Sequence, residues 1–261
     1  MSTGEARPFA PFPQVRPLSD TALTVVFGTE VDPQVHAQVM GLARQLEALR
    51  DAPALAGVSE WIASFTALTV YFDPDVADVA ALEAELARLA GAGAKAILAG
   101  RVWTLPACFE NDYAPDLADL ARLQGLSEEA VVSQFLAARY RVYTIGFLPG
   151  FPYMGGLPEA LQVPRLATPR TEVPARSIAV AGGMCAIYPF KSPGGWRLIG
   201  RTPLNLFDPA REAEPALLAA GDTVQWQRID AARFAALEAE ADAGTLDPQQ
   251  FLGEGPHDHA S

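Results

Sequence analysis

The chain has 261 residues, 50% of them hydrophobic and 19% charged, which is enough apolar material for one large or two ordinary packed domains. Its formal net charge of −12 opposes binding to nucleic acid or to anionic membranes. No apolar run approaches the roughly 20 residues of a spanning helix, the N-terminus lacks a signal-peptide pattern, and two cysteines are too few for a disulfide framework. We therefore expect a reduced, cytoplasmic protein.

A small α+β domain is predicted for residues 14–105, after a proline-containing flexible arm at 1–13. Apolar residues at spacings of three and four indicate two amphipathic helices, and alternation indicates strands. The predicted elements are strands at 22–27, 57–63, 66–72 and 101–105, a helix capped by Asp32, and a second helix ending at Gly91. Their order, β-α-β-β-α-β, is that of a ferredoxin-like unit with a structural role or a role in contacting another subunit.

A β-rich domain is predicted for residues 106–228. It begins with two short helices, the first ended by Gly125 and the second capped by Ser127. The strand candidates that follow are 140–145, 177–181, 185–188, 196–199, 204–207 and 223–227. Their regular spacing favours a barrel or a sandwich. A helix around 232–241 and a polar tail are predicted for the remaining residues, 229–261.

Glycine and proline concentrate within the β-rich domain. Nine of the 21 glycines and nine of the 22 prolines lie between Gly146 and Pro203, with aromatic and branched residues among them. Glycine permits positive φ and close backbone approach, whereas proline fixes φ. We therefore expect ordered β-structure with demanding turns that shape a binding surface.

The residue types of common catalytic devices are scarce. His257 and His259 lie in the tail, and His36 is placed on a solvent-leaning helix face, so a Ser-His-Asp or Cys-His mechanism has no natural base. Cys108 and Cys185 are interpreted as structural, and we predict no metal site.

The glycine motifs do not predict a nucleotide site. The segment 146–156 lacks the lysine and hydroxyl pair of a phosphate-binding loop and the strand-to-helix context of a dinucleotide loop. The Pro193-Gly194-Gly195 segment is interpreted either as a tight turn or as a turn that brings backbone donors to a ligand.

Basic and aromatic side chains gather in the same region. The basic residues are Arg165, Arg170, Arg176, Lys191, Arg197 and Arg201. Arginine suits bidentate contacts with carboxylate or phosphate, so these residues indicate either a pocket for an acidic molecule or partner surface, or salt bridges to the surplus acids. The aromatic residues Phe147, Phe151, Tyr153, Tyr188, Phe190 and Trp196 either line the same groove or fill the barrel.

Several ordered blocks resemble one protein family. The blocks are Tyr140-Arg-Val-Tyr-Thr-Ile-Gly-Phe-Leu-Pro-Gly-Phe-Pro-Tyr-Met-Gly-Gly-Leu157, Pro164-Arg165, Thr168-Pro169-Arg170, Ser192-Pro-Gly-Gly-Trp196 and Ile199-Gly-Arg-Thr-Pro203. They are similar to the signature of the small (B) subunit of bacterial 5-oxoprolinase, long labelled as the first subunit of allophanate hydrolase. That family also includes the Kip-type inhibitor of a sporulation histidine kinase, and it carries subdomains C and D of a carboxyltransferase domain.

The resemblance implies an architecture and an activity. The fold would be α+β, a ferredoxin-like domain followed by a cyclophilin-like β-barrel. A large carboxyltransferase-type subunit and a lactam-binding subunit would complete the complex. The complex would open 5-oxoproline to glutamate and consume ATP, which is not clearly bound by this chain. The alternatives are a module that inhibits a sensor histidine kinase, a subunit of a urea- or allophanate-type enzyme, and, by fold analogy alone, a peptidyl-prolyl isomerase.

The same hypothesis assigns candidate residues without naming a catalytic one. Arg165, Arg170 and Arg201 would bind or polarise an anionic group, and the 193–195 turn would supply backbone donors. The further substrate-binding candidates are Thr202, Lys191, Ser192, Gly194, Gly195, Trp196 and Tyr188. The groove or partner candidates are Phe147, Phe151, Tyr153 and Met184.

Three segments depart from the family pattern. Residues 110–115 replace Gly-Gly-Glu-Phe-Gly-Pro, Arg176 stands where a glycine is usual, and Met184-Cys185-Ala186 replaces Gln-Thr-Gly. If the last segment contacts the substrate, we expect a substrate other than 5-oxoproline.

Overall fold

The computed structural model describes residues 11–92 and 100–253, and the chain divides into two compact units, 1–98 and 99–261. Most of the predicted flexible arm and the end of the predicted polar tail lie outside the described residues. Within the described ranges, no helix combines the length and apolarity needed to cross a membrane.

The first unit is an antiparallel four-stranded sheet with two helices packed on it. Leu23, Val25, Leu68 and Val70 alternate inward along the central strands and meet the apolar stripes of both helices. The elements are β1 Gln14–Ser19, β2 Ala22–Val26, α1 Pro33–Ala48, β3 Val58–Ala63, β4 Ala67–Phe72 and α2 Val79–Gly91, and the strand order is β1-β2-β4-β3.

The element order of this unit differs from the prediction. The sheet edge beside β2 is taken by β1, a strand that the sequence did not indicate because four of its six residues are exposed. The strand predicted at 101–105 belongs to the second unit instead, where Trp103 and Leu105 are fully buried. The order in the first unit is therefore β-β-α-β-β-α.

Helix α1 begins as predicted but buries a different residue. The Asp32 carboxylate accepts hydrogen bonds from the backbone N–H groups of Gln34 at 2.7 Å and Val35 at 3.1 Å, as expected of an N-cap. His36, placed on the solvent-leaning face from the sequence, is fully buried. It lies three residues before Val39, so it belongs to the helix face that packs on the sheet.

The second unit contains a seven-stranded sheet, a two-stranded ribbon and three α-helices. Its elements are β5 Val102–Ala107, α3 Leu117–Gln124, α4 Glu128–Ala137, β6 Tyr140–Ile145, β7 Pro152–Gly155, β8 Arg170–Val173, β9 Ser177–Ala181, β10 Met184–Ile187, β11 Ser192–Gly194, β12 Arg197–Arg201, β13 Thr223–Arg228 and α5 Ala231–Asp242.

The large sheet curls into a nearly closed barrel. Its order is β12-β9-β10-β7-β6-β13-β5, and only the β13–β5 pair is parallel. Cys108, just after β5, and Arg201 on β12 exchange two backbone hydrogen bonds of 2.9 Å, which joins the two ends of the sheet. Of the two architectures that the strand spacing left open, the barrel is the one observed.

Most local signals in this unit are confirmed. Gly125 ends α3 with a φ of 67°, and the Ser127 hydroxyl accepts from the N–H of Ala130 at 3.1 Å. The predicted strand at 204–207 is wrong, since it contributes only an isolated bridge from Phe207 to Ala216. The strands β7, β8 and β11 were missed because proline, glycine or charge weakens their strand pattern.

Candidate functional site

A pocket of about 310 Å³ opens between the β8–β11 ribbon and the loop that joins β6 to β7. It brings together seven of the predicted site and groove residues, while its remaining walls are prolines. The lining residues are Phe147, Tyr153, Arg165, Pro169, Tyr188, Pro193, Gly194, Gly195 and Trp196. The concentration of glycine and proline in the sequence therefore does coincide with a concave surface.

The Phe151 ring supports the aromatic side of the pocket. Phe151 is 2% exposed, so of the two alternatives for this ring, lining the groove or filling the barrel, the structure shows the second. Its ring centroid lies 4.9 Å from that of Tyr153, 5.1 Å from Tyr188 and 6.4 Å from Trp196. Edge-to-face packing of this kind holds the rings in place and keeps the pocket apolar on one side.

The loop between β6 and β7 presents Phe147 at the pocket. The N–H of Gly146 donates to the carbonyl of Phe151 at 3.1 Å, which closes the loop. Within it Phe147 has a φ of 69°, unusual for a bulky side chain, and it is 61% exposed. Gly150, with a φ of 76°, has no room for a side chain because a Cβ would lie 2.7 Å from the carbonyl oxygen of Leu206. Such strain is typical of ligand sites.

Gly194 is required by the close approach of Tyr188. A Cβ on Gly194 would lie 2.3 Å from the Tyr188 hydroxyl oxygen, far inside van der Waals contact. The ribbon pairs Gly194 with Arg170, and the N–H of Leu166 donates to the carbonyl of Gly195 at 2.7 Å. These contacts fix the turn and the segment that carries Arg165.

Arg165 is the cation of the pocket. Its guanidinium lies over the Trp196 ring, with the central carbon 5.7 Å from the ring centroid. The residue is exposed, and within residues 11–92 and 100–253 no acidic side chain pairs with it. A stacked guanidinium with open donors is suited to bind a carboxylate or phosphate.

Arg170 lies beside the pocket and does not line it. Its Nη2 donates to the Asp116 carboxylate at 2.5 Å, and the second oxygen of Asp116 accepts from the N–H of Leu198 at 2.7 Å. Its Nη1 is buried with no hydrogen-bond partner among the described atoms. Arg170 is therefore ion-paired with Asp116 and holds the ribbon in place beside the pocket.

The environment keeps the two pocket tyrosines protonated. Burial raises the pKa of Tyr188, and the backbone of Trp196, Arg165 and Arg170 opposes this shift. Burial likewise raises the pKa of Tyr153, against the effect of Arg165. Both hydroxyl groups are thus hydrogen-bond donors at neutral pH.

The other predicted substrate-binding residues lie outside the pocket. Arg201 donates from Nε to the carbonyl of Ala175 at 2.9 Å and pairs with Glu238 at 3.3 Å. Lys191 forms an exposed ion pair with Glu172 at 2.7 Å. The structure therefore does not support the predicted direct contact of Arg201 or Lys191 with a ligand in this pocket.

Ser192, Thr202 and Met184 are also absent from the pocket lining. The hydroxyl groups of Ser192 and Thr202 are buried without hydrogen-bond partners among the described atoms, and Thr202 is fully enclosed. Met184 packs against the cluster that contains Phe151. Neither hydroxyl nor thioether faces the site.

Arg176 explains one departure from the family pattern. Its φ is 68°, a conformation that favours glycine. Glycine is the residue usual at this position in the family that the sequence resembles. Its guanidinium contacts Asn205 at 2.6 Å, Glu238 at 3.2 Å and Asp242. The side chain therefore anchors α5 to the barrel and does not reach the pocket.

The second departure from the family pattern, at residues 184–186, also lies outside the pocket lining. Cys185 and Ala186 are fully buried in the sheet, where β10 pairs with β7 and β9. Because none of the three residues lines the pocket, the reason for expecting a different substrate does not apply to this cavity.

A larger cavity, of about 420 Å³, has a different character. Both arginines of its lining are paired: Arg101 with Glu214 at 2.9 Å and with Asp222 at 3.1 Å, and Arg211 with Asp208 at 3.6 Å. It has no aromatic wall. The smaller pocket is therefore the better candidate, since it has open donors and apolar walls.

The described residues include neither an activated thiol nor a cluster of metal ligands. Burial raises the pKa of both Cys108 and Cys185, so both remain neutral thiols. In the described ranges, no three His, Cys, Asp or Glu side chains gather closely enough to hold a metal. His257 and His259 lie outside the described residues.

Comparison with known proteins identifies the family. Residues 13–218 match the family model described as carboxyltransferase domain, subdomain C and D. The chain belongs to this family. The match spans both units and includes the whole lining of the pocket.

Individual relatives agree with the family assignment. The 5-oxoprolinase B subunit of Bacillus subtilis is 35% identical over 87% of this chain and 98% of its own length. A crystal structure of TTHA0988 superposes with a TM-score of 0.68 at 34% identity, over 83% of this chain and 40% of that protein. This chain thus spans about two fifths of TTHA0988.

A more distant structure shares the fold alone. The Kluyveromyces lactis urea carboxylase superposes with a TM-score of 0.72 at 18% identity, over 94% of this chain and 24% of that protein. The fold of this chain therefore occurs as a portion of a much longer protein.

Proposed function

We propose that the chain is the small subunit of an ATP-dependent 5-oxoprolinase, a complex that opens the lactam of 5-oxoproline to L-glutamate. The observation that carries the proposal is the likeness to the 5-oxoprolinase B subunit of Bacillus subtilis over nearly the whole of both proteins. The pocket is the place in this chain where a small acid fits, because its only unpaired cation among the described lining residues, Arg165, lies over an aromatic wall.

The role of this chain is binding and orientation. Arg165 holds an anionic group, and the aromatic rings exclude water from one side of the ligand. The described pocket lining holds no carboxylate, histidine or thiol to act as base or nucleophile. We infer that these groups come from a large carboxyltransferase-type subunit, and that a third, lactam-binding protein completes the complex.

ATP is consumed by the complex outside the glycine-rich segment of this chain. That segment joins strand β6 to strand β7, so it lacks the helix N-terminus that binds phosphate in nucleotide-binding loops. It also contains no lysine. The residues present therefore do not fit a phosphate cradle, and we assign no step of ATP chemistry to them.

The experiment is reconstitution. The chain is co-expressed with a candidate large subunit, and the purified complex is assayed for ATP hydrolysis with the third protein, with and without 5-oxoproline. We expect a stable heteromeric complex and ATP hydrolysis that depends on the lactam. Complex formation without lactam-dependent hydrolysis would remove 5-oxoproline as substrate, and failure to form any complex would contradict the proposal that the chain is a subunit.

Inhibition of a sensor histidine kinase is the second candidate function. It is favoured by Phe147, an aromatic ring that is 61% exposed on a strained loop, as expected of an anchor for a protein partner. The test is autophosphorylation of a histidine kinase from the same organism with the wild-type chain and with Phe147→Ala. Inhibition by the first and not by the second would support this function; no inhibition by either would exclude it for that kinase.

A further inference from the structure

The Tyr188 hydroxyl is an open donor at the wall of the pocket. Tyr188 is 2% exposed and lines the pocket. Among the residues that the structure describes, its O–H donates to no oxygen or nitrogen, and its oxygen does not belong to the enclosed unpaired atoms. The hydroxyl is therefore free to donate to an acceptor on whatever occupies the pocket.

The ribbon strand that carries Arg170 lies next to the Tyr188 hydroxyl. Gly194 and Arg170 lie directly opposite each other across β11 and β8, and a Cβ on Gly194 would lie 2.3 Å from the Tyr188 oxygen. The Nη2 of Arg170 donates to the Asp116 carboxylate, and its Nη1 is buried and unpaired. Arg170 therefore holds the ribbon in place beside Tyr188 and does not itself contact a ligand in the pocket.

Arg165 is positioned to bind the opposite end of the ligand. It lies over Trp196, whose ring forms part of the wall, and it has no acidic partner in the described ranges. A pocket of about 310 Å³ is at the small end of the range of roughly 300–1,000 Å³ for ligand sites. Its ligand is therefore small, with an anionic group at one end and an acceptor oxygen at the other.

We infer that Tyr188 donates its hydroxyl hydrogen to the carbonyl oxygen of a small cyclic amide whose carboxylate is bound by Arg165. This deepens the proposed function and rests on it. As the amide carbon is converted toward a tetrahedral centre, negative charge grows on that oxygen, and a preorganised hydrogen-bond donor stabilises the charge. Tyr188 keeps its proton, and no bond to the protein forms or breaks.

The test separates the two ends of the ligand. The complex of this chain with its large subunit is titrated in a calorimeter with 5-oxoproline, with cyclopentanecarboxylate, which lacks the amide, and with 2-pyrrolidinone, which lacks the carboxylate. We expect Tyr188→Phe to weaken the binding of 5-oxoproline about tenfold, the usual loss of one hydrogen bond, and to leave the affinity for cyclopentanecarboxylate unchanged. Arg165→Ala should weaken the binding of both acids and leave the affinity for 2-pyrrolidinone unchanged.

Tyr140→Phe is the matched control. The Tyr140 hydroxyl donates to the carbonyl of Phe135 at 3.0 Å in the barrel core and does not line the pocket. The same loss of one oxygen should lower the unfolding midpoint in urea and leave binding of all three compounds as in the wild type.

The outcomes distinguish the two proposals. The inference is overturned if Tyr188→Phe, folded by near-UV circular dichroism, still prefers 5-oxoproline to cyclopentanecarboxylate as strongly as the wild type. It is also overturned if the wild-type complex binds none of the compounds while lactam-dependent ATP hydrolysis proceeds with the third protein. Absence of that hydrolysis in the wild type contradicts the proposed function instead, and the titration then still decides whether the pocket takes a cyclic amide acid.

Discussion

Two groups of arginines in the second unit look alike in the sequence and differ in the structure. Arg165 lies over Trp196 with no acidic partner among the described residues. Arg176 and Arg201 share Glu238, and Arg176 also binds Asp242. The first is an open donor at a pocket, and the others are neutralised anchors for α5. The density of arginine in the sequence therefore indicates where the binding region lies. Whether a given arginine binds a ligand or holds the fold together depends on the partner of its side chain.

The largest effect should come from filling the space between the ribbon and Tyr188. Gly194→Ala places a methyl group 2.3 Å from the Tyr188 oxygen, so either the Tyr188 ring or the turn that contains residue 194 must move. A displacement of about 1 Å at a reacting centre can cost roughly 100-fold in rate. We expect lactam-dependent ATP hydrolysis of the complex to fall by about that factor, measured as kcat/KM.

Gly195→Ala is the milder comparison for this change. Its methyl group would meet Pro169 at 3.5 Å, an ordinary contact, so we expect a loss of no more than about threefold. Equal losses for the two variants would show that the close approach of Tyr188 is not what requires glycine at 194.

A smaller effect, on stability, should follow from removing the anchor of α5. Arg176→Ala loses the contacts with Asn205, Glu238 and Asp242 and keeps a φ of 68°. We expect the free energy of unfolding to fall by about 2 kcal/mol, since the side chain is buried but Asp242 is largely exposed. Arg176→Gly should lose about 1 kcal/mol less, because glycine removes the strain.

Urea denaturation of the isolated chain measures both Arg176 variants. Binding of 5-oxoproline by the folded complex should be unchanged in each. A weaker affinity in Arg176→Gly would show that the two groups of arginines are coupled, contrary to the distinction drawn above.

The smallest effect concerns thiol reactivity. Burial raises the pKa of Cys108 and Cys185, so at pH 8 both remain neutral and enclosed. We expect a disulfide exchange reagent to modify neither cysteine in the native protein and both in urea. Rapid modification of either thiol without denaturant would mean that the barrel opens locally, or that a nucleophile is accessible after all.

Much of the fold was predictable from local patterns. The Asp32 cap, the Gly125 stop and strand β6 are where the sequence placed them, because capping and alternation act over a few residues. The strand at Val102–Ala107 was assigned to the wrong unit, since its pairing with β13 joins residues more than 100 positions apart. Long-range pairing leaves no local signature.

The candidate site was predictable as a region and not as a set of contacts. Phe147, Arg165, Tyr188 and Trp196 were all named from the sequence, and all line the pocket. Arg201 was also named, but Glu238 on α5 neutralises it, and no spacing in the sequence brings 201 and 238 together. A partner of this kind becomes visible only when the chain is folded.

The most direct test of this account compares the KM for 5-oxoproline in complexes that carry Arg165→Ala or Arg201→Ala. We expect Arg165→Ala to raise the KM at least about tenfold, since a charged hydrogen bond is lost. Arg201→Ala should leave KM within about twofold and lower the unfolding midpoint instead, because its role is to hold α5. An equal rise in KM for both variants, or no change for Arg165→Ala, would contradict it.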